Sequence, residues 1–419
     1  MDMDFEPSWR CIRAVVAVEE AGGVSRAAER LHHSQPAITR AVRELEESLG
    51  LVLFERHHGG MIPTPGGRLV IPRFQRALNY LREAESAMAP LQAKSMQDRL
   101  THRLSQRQLM VLITIARLHN EPRAAQRLKL TQPAVSASLR QLEQHVGTEL
   151  FLRTRRGMLL TDSGAILARY ARLAMRELQI AHAEVTAWQG RTKGHLTIGT
   201  LPLSSALLVP KTVDIMRRQS PHISITILDG TYDDLLEALR CGEIDVLVGA
   251  LRSDMPEGEL AQQHLFHDRL SVIARPSHPL VRQDALTLKA LQAAEWIAPR
   301  AMTPARRGFE CEFHNAGLSP PEVVIEASNL STIRTLLLSS DRVTLISPCQ
   351  VYFELQTGQL IRLPIRLNGT SRPIGITTRQ DNMPTQALLE LCDILREISQ
   401  ELEEMHRESG FMPRPMTMF

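Results

Sequence analysis

Apolar positions in the first 190 residues recur at spacings of three and four, whereas beyond residue 193 they gather into short runs separated by helical stretches. The first spacing is that of amphipathic helices and the second that of strands joined by crossover helices. Near the start, Ile12, Val15, Val16, Val18 and Ala21 fit one helical face, RAAERL (26–31) a short second helix and residues 36–49 a third. Farther on, HLTIGT (195–200), ISITILDG (223–230) and DVLVGAL (245–251) read as strands, with helices over LLVPKTVDIMRR and DDLLEALRCG (233–242). The strands continue through RLSVIARPSHPL (269–280), WIAPRAM (296–302), VVIEAS (323–328), RVTLISP (342–348) and RPIGITTR (372–379). LSTIRTLLLS is a helix between two of them, and ALLELCDILREISQELEEM closes the alternation, which predicts an α/β domain built on parallel sheet.

Sliding the chain along itself by 97 residues lays SQPAITRAVRELEESLGLVLFERHHGGMIPT (34–64) over TQPAVSASLRQLEQHVGTELFLRTRRGMLLT (131–161) without a gap. Between 26–67 and 123–164, 19 of 42 positions are identical, against roughly two or three for unrelated sequences of average usage. A compact domain has therefore been duplicated. In the third helix of the first copy Ser34 is placed to cap, Pro36 sits where no backbone donor is needed and Gly50 supplies the left-handed stop; Thr131, Pro133 and Gly147 repeat those roles. About three residues separate the second and third helices, the spacing of a helix-turn-helix. The two short apolar runs that follow flank a basic, glycine-containing turn and predict a two-stranded wing, returning Leu53 and Phe54, or Leu150 and Phe151, to the core. A winged helix-turn-helix presents its third helix to the major groove and its wing to phosphates. The DNA-contacting candidates are Ser34, Gln35, Pro36, Thr39, Arg40, Arg43 and Arg56 in the first copy. In the second they are Thr131, Gln132, Pro133, Ser136, Arg140, Arg153, Arg155 and Arg156. A helical hairpin with a solvated polar face would need neither the caps, the wing nor the duplication.

A net charge of +3 over 419 residues conceals an uneven distribution. Residues 1–193 carry 28 Lys+Arg against 19 Asp+Glu, and residues 194–419 carry 21 against 27. Within the front, residues 1–95 balance at 12 and 12, while 96–193 hold 16 against 7. Phosphate neutralisation dominates non-specific affinity, so the second copy is expected to anchor the protein on DNA, with the first adding specificity or a second site. A first copy degenerate in DNA contact and retained for packing is the competing expectation. The amino terminus lacks a basic segment followed by an apolar core, no apolar run approaches 18 residues, and the five cysteines (Cys11, Cys241, Cys311, Cys349, Cys392) form no CxxC pair. A cytoplasmic chain without disulfides, zinc site or membrane span is the expectation.

The run AAERLHHSQPAITRAVRELEESLGLVLFER with its downstream TPGG resembles the DNA-binding domain of LysR-type transcriptional regulators, and AAQRLKLTQPAVSASLRQLEQHVGTELFLRTRRGMLLTDSG is similar to it again. One such domain is the family's usual complement. The resemblance makes Arg40 a base-contacting position, where the second copy has Ala137. It also implies that the long helix after each wing, roughly 66–93 and 163–189, pairs two subunits. The second carries a stripe of Ile166, Tyr170, Leu173, Ala174, Leu178, Ala181, Val185 and Trp188. The first contains Pro72, which can kink a helix. Pairing between subunits implies a homodimer or dimer of dimers on an interrupted palindromic operator of double-stranded DNA, with RNA polymerase as a further partner. A stripe covered by the rest of the same chain is the alternative.

The back half resembles the effector-binding domain of the same family, a two-lobed α/β relative of periplasmic binding proteins with a ligand cleft. The expected architecture is thus multidomain. A winged helix-turn-helix spans 1–65, a linker helix and connector 66–104, a second winged helix-turn-helix 105–162 and its linker helix 163–192. An effector-binding domain follows over 193–404 (lobe I 193–268 and 382–404, lobe II 269–381), then a disordered tail over 405–419. Strand carboxyl ends nominate Thr200, Ser204, Ser205, Thr231, Arg300, Met302 and Thr303 for a small-molecule effector, with Asn329 and Ser331 as a donor cluster at a helix start. Arginine and helix amino termini favour a carboxylate. No HExxH, GxSxG, Walker-type loop or GxGxxG is present, so neither an enzyme nor a bound cofactor or metal is expected. A solute-binding protein or a ligand-independent DNA-binding scaffold are the alternatives.

Overall fold

The computed structural model describes residues 7–58, 60–91, 100–155, 157–190, 194–253, 255, 258–283, 285–365, 367 and 369–408. These form two compact units, one running to Gly194 with residues 241–243, the other comprising the rest.

In the first unit α1 (Trp9–Ala21), α2 (Val24–Arg30), α3 (Gln35–Leu49), β1 (Phe54–His57), β2 (Gly60–Pro63) and α4 (Pro65–Met88) make the first copy. After α5 (Leu100–Arg103) come α6 (Gln106–Leu118), α7 (Glu121–Arg127), α8 (Gln132–Val146), β3 (Phe151–Thr154), β4 (Gly157–Leu160) and α9 (Asp162–Trp188). Each element of the second copy starts 97 residues after its counterpart. Local chemistry sets the boundaries of both third helices. Ser34 accepts from the Ala37 amide and Thr131 from the Ala134 amide, and Gly50 and Gly147 end them in the left-handed region. Both wings are antiparallel pairs whose Leu53, Phe54, Leu150 and Phe151 are buried. Each wing is tied to the end of the first helix of its copy: the Met61 amide donates to the Gly22 carbonyl and the Met158 amide to that of His119. Gly60 and Gly157 are required there, because a Cβ would come within 2.1 Å and 2.4 Å of those carbonyl oxygens.

The apolar stripe on α9 does not wait for another subunit. It is covered by α4 of the same chain, with Leu173, Ala174, Leu178, Ala181 and Val185 buried opposite Val70, Phe74, Ala77, Leu81 and Ala84 in one continuous core. Only Trp188, 59% exposed, falls outside. This corrects the inter-subunit expectation, and the reason is simple: duplication supplies a second long helix of the same periodicity within one chain. The helices run antiparallel. Arg73 reaches Glu184 (2.7 Å) and Glu177 (3.2 Å), Arg76 reaches Glu177 (3.2 Å), and the Tyr80 and Tyr170 rings lie 6.4 Å apart. α4 continues unbroken through Pro72. The Arg73 and Glu177 side chains are 1% and 3% exposed. Burial pulls the Arg73 guanidinium down, yet hydrogen bonds and charge from Glu184 and Glu177 hold it above the usual arginine value.

The second unit contains β5 (His195–Thr200), α10 (Pro202–Ala206), α11 (Leu208–Gln219), β6 (Ser224–Asp229), α12 (Tyr232–Arg240), β7 (Val246–Ala250) and β8 (Leu260–Arg269). Then come β9 (Ser271–Ala274), α13 (Leu288–Gln292), β10 (Glu295–Ala298), α14 (Pro304–Asn315), β11 (Ile325–Glu326), α15 (Leu330–Ser339), β12 (Arg342–Ile346), α16 (Tyr352–Gln356) and β13 (Ile361–Arg362). β14 (Ser371–Arg379) and α17 (Gln386–Glu408) complete it. One sheet is ordered β6-β5-β7-β14-β8 and the other β11-β10-β12-β9-β13, each mixing parallel and antiparallel pairs. β14 joins the first sheet between β7 and β8, burying Ile374 and Ile376 in its core. The second lobe therefore ends near residue 370 rather than 381, because strand periodicity marks a strand without assigning its sheet. The strand expected over 269–280 is confined to β9, and β8 precedes it. The tail expected from 405 begins within α17, and residues 409–419 lie outside the described residues.

Removing the buried guanidinium leaves Glu184 without its ion-pair partner and Glu177 with Arg76 alone, a loss on the order of 3 kcal/mol. Arg73→Ala should accordingly speed hydrogen–deuterium exchange across α4 and α9 by a factor of a hundred or more, read by mass spectrometry. Unchanged protection would show that the ion pair contributes little to their pairing.

Candidate nucleic-acid interface and effector cleft

On α3 the buried face is Ile38, Ala41, Val42, Leu45 and Leu49, which leaves Gln35, Arg40 and Arg43 exposed and Thr39 half-buried. The Thr39 hydroxyl donates to the Gln35 carbonyl. On α8 the matching face exposes Gln132 and Arg140, whose guanidinium donates to the Ser136 carbonyl. Ser34 and Thr131 serve as caps, with Pro36 and Pro133 in the first turns, all exposed. Glu46 and Glu143 tie each third helix to its wing by accepting from the Leu53 and Leu150 amides.

The wings differ. Arg153 donates to Glu121 Oε1 (2.9 Å), and the Ser136 hydroxyl donates to Oε2 of the same carboxylate (2.7 Å), which is 7% exposed. One α7 acid thus compensates a wing arginine and orients a residue of the recognition helix. Val24 stands at the corresponding place in the first copy, and Arg56 has no ion-pair partner among the described residues. The pairing lowers the second wing's own uncompensated charge by one. Arg155 is exposed and Arg156 lies outside the described residues.

Between the two sheets of the second unit opens a cleft of about 960 Å³, within the range of small-molecule sites. Of the nominated effector residues, Thr231, Arg300, Met302 and Thr303 line it. The others are not among its lining residues. Thr200 and Ser204 are buried and bonded to each other (3.0 Å), and Ser205 donates to the Pro202 carbonyl, so these hydroxyls hold the turn after β5. Asn329 caps α15 by accepting from the Thr332 amide, and Ser331 sits exposed on its first turn. Lining residues absent from the sequence-based set include Tyr232, Arg252, Arg307, Gln350 and Arg372. Arg252 follows β7, so the strand-end rule could have found it; Arg372 comes with the crossing into β14, which no local pattern marks, and Gln350 from the turn after β12. The Arg252 guanidinium stacks 3.7 Å from the Tyr232 ring centroid. Arg372 is engaged by fully buried Asp268, which also accepts from the Ser347 hydroxyl. Arg252, Arg300 and Arg307 have no carboxylate partner among the described residues. Asp233 and Asp234 also line the cleft, and the Thr231 hydroxyl donates to Asp234. The α14 amino terminus, capped by Thr303, adds its dipole to the cationic side. Among the described residues no helix is long and apolar enough to cross a membrane.

Two family models match the chain: the bacterial regulatory helix-turn-helix of the lysR family at residues 9–68 and again at 106–165, and the LysR substrate binding domain at 189–400. The transcriptional regulator GalR of Pseudomonas putida is 34% identical over 395 residues, 94% of this chain and 98% of its own, so the match extends through the duplicated front. PcaQ of Agrobacterium fabrum is 28% identical over 300 residues, 72% of this chain and 96% of its own. Among solved structures, a full-length OxyR variant from Pseudomonas aeruginosa aligns with TM-score 0.54 at 22% identity, covering 70% of this chain and 97% of that one. CbnR aligns with TM-score 0.52 at 19% identity, covering 71% and 99%. At these identities the two structures establish the fold.

The cysteines remain as candidate chemistry. All five are free; Cys311 is exposed and the others are buried. Burial, reinforced by the Asp268 carboxylate, pushes the Cys349 thiol up to about 12. At pH 8 this leaves a thiolate fraction on the order of one in ten thousand. Burial likewise raises Cys11 and Cys392. Iodoacetamide at pH 8 should alkylate Cys311 in the native protein and spare Cys349, as peptide mass mapping would reveal. Rapid labelling of Cys349 would contradict the buried, protonated thiol.

Proposed function

The chain belongs to the LysR family of transcriptional regulators, and from that premise we propose that its heads bind a DNA operator while the cleft takes a small anionic effector, a carboxylate being the expected form. The observation that supports an anion is the convergence on one cleft of Arg252, Arg300 and Arg307, none of them ion-paired among the described residues, against Asp233 and Asp234 in the same lining. An effector that prefers one arrangement of the two lobes shifts the population toward it, and DNA binding responds. The site acts by binding and catalyses no reaction. The proposed setting is the cytoplasm, with assembly into homodimers or dimers of dimers and contact with RNA polymerase at the promoter. A solute receptor would leave two capped recognition helices and two wings without a role.

On the DNA side, the residues we assign are Gln35, Thr39, Arg40, Arg43 and Arg56 in the first copy and Gln132, Ser136, Arg140, Arg153 and Arg155 in the second. Caps Ser34 and Thr131, with Pro36 and Pro133, present the helix amino termini to phosphates. Arg155→Ala should weaken binding to a random-sequence duplex uniformly and lower the slope of log K against log salt by about 1. An unchanged slope in fluorescence anisotropy would remove Arg155 from the phosphate contacts.

On the effector side, a thermal-shift screen of small carboxylates against their neutral amides should stabilise the chain only with the acids, and Arg252→Ala/Arg300→Ala should abolish the shift. Equal shifts by the amides, or a response retained in the double variant, would refute the anion site.

A further inference from the structure

We propose that a single chain is a complete two-headed DNA reader: α4 and α9 pair in cis through a buried charge cluster, and the two unequal heads read two different half-sites. This rests on the heads' binding DNA, as proposed above.

The 97-residue register makes the helix pair a pseudo-dyad. A contact between residue i of α4 and residue j of α9 has as its mate the contact between i+97 and j−97. The mate of Arg73–Glu177 is Tyr170–Tyr80, and both contacts are present. Shape therefore obeys the two-fold relation while chemistry departs from it, with an ion pair on one side and a ring contact on the other.

That departure selects the pairing. Two copies of α4 brought together in the same register would set Arg73 against Tyr80 and Ala87, and two copies of α9 would set Glu177 against Tyr170 and Leu173. Either homotypic pair buries a charge opposite no matching counter-ion, a strongly unfavourable arrangement. Only α4 with α9 matches Arg73 to Glu177 and Glu184. Eleven residues lie between α4 and α5, and the second head that follows carries α9, so covalent linkage raises the effective concentration of the partner to the millimolar range and the match is made within one chain. Gln189, just beyond α9, donates to the Leu49 and Gly50 carbonyls at the end of α3, fastening the tail of the second linker to the first head. Since each head is fused to the start of its own linker helix, antiparallel pairing carries the heads at opposite ends.

The heads so joined present different chemistry. Arg40 on α3, with a guanidinium suited to guanine O6 and N7, corresponds to Ala137 on α8, which offers only a methyl to a thymine methyl. Glu44 and Glu47 correspond to Gln141 and Gln144. Glu121 holds Ser136 and Arg153 in the second head, where the first has Val24. The half-sites covered by one chain must then differ, a guanine being demanded by the first head at a position where the second demands none. Palindromic symmetry remains available only between chains, each contributing an unequal pair.

Two measurements on the full chain test this. In a Cys311→Ser background, Tyr80→Cys/Tyr170→Cys treated with a short bismaleimide should give a cross-linked product of monomer mass in a denaturing gel, whatever the protein concentration. A product of dimer mass would mean that the helices pair between chains and would overturn the proposal. Selection from a random duplex library just long enough for one head pair should enrich two unlike half-sites about a helical turn apart. Arg40→Ala should cut discrimination at a guanine of one half by roughly tenfold or more and leave the other half unchanged. Ala137→Arg should make the second half resemble the first. Identical halves, or loss in both halves or in neither with Arg40→Ala, would refute unequal reading while leaving DNA binding intact. Absence of any enrichment would instead refute the DNA-binding reading itself, and this one with it.

Discussion

Arg73, with its guanidinium closed off from solvent and divided between Glu177 and Glu184, is the constraint on which the front of the molecule depends. Apolar area alone would allow α4 and α9 to meet any helix of the same periodicity, because a Leu/Ala/Phe face is indifferent to which similar face it covers. A buried ion is not indifferent. Placing Arg73, Arg76, Glu177 and Glu184 in the seam gains little over well-packed hydrocarbon, but every wrong register or wrong partner strands at least one of them. The interaction thus supplies specificity more than stability. What it specifies is inherited by both heads, whose wings and first helices share one continuous core with the paired linkers.

The sequence carried the internal organisation of each head because that organisation is local. Ser34 with Pro36 and Gly50 marks the start and end of the fifteen-residue α3, and the same signals recur in α8. The wing follows from two apolar runs and a glycine turn, the glycine being needed where the strand approaches the Gly22 carbonyl. The partner of the stripe was not local. A 3.6-residue period states that a helix has an apolar face and is silent about what covers it, so a remote carboxylate matched to Arg73 is invisible until the helices are laid together. Glu121 was hidden for a related reason: at the first turn of α7 an acid looks like a favourable helix-dipole residue, and its grip on Ser136 and Arg153 comes from packing.

A similar boundary runs through the second unit. Its strands were legible from short apolar runs, yet β14 was assigned to the wrong lobe, since the alternation Ile374, Ile376 suits either sheet. The chain crosses between sheets once after β8 and again before β14, and these crossings carry the buried Asp268 and its partner Arg372. Arg372 also faces the cleft. Strand-end logic therefore found Thr231, Arg300 and Thr303, which follow or precede regular elements, and missed a cation delivered by the crossing. It also overcounted hydroxyls: Thr200, Ser204 and Asn329 sit at strand and helix ends because those ends need caps and turn bonds.

Duplication changes what a two-fold interface can encode. In a pair of identical subunits each contact occurs twice, so a substitution that helps one side of the dyad is imposed on the other. Two copies in one chain are released from that identity while keeping the geometry that symmetry created. The Arg73–Glu177 contact occurs once, its mate being Tyr80–Tyr170, and the same release separates Arg40 from Ala137 on the recognition helices. The one-sided charge in the seam and the one-sided chemistry at the heads are thus two results of a single cause, and the first protects the second. By rejecting homotypic pairing, the buried ions keep the heads unlike.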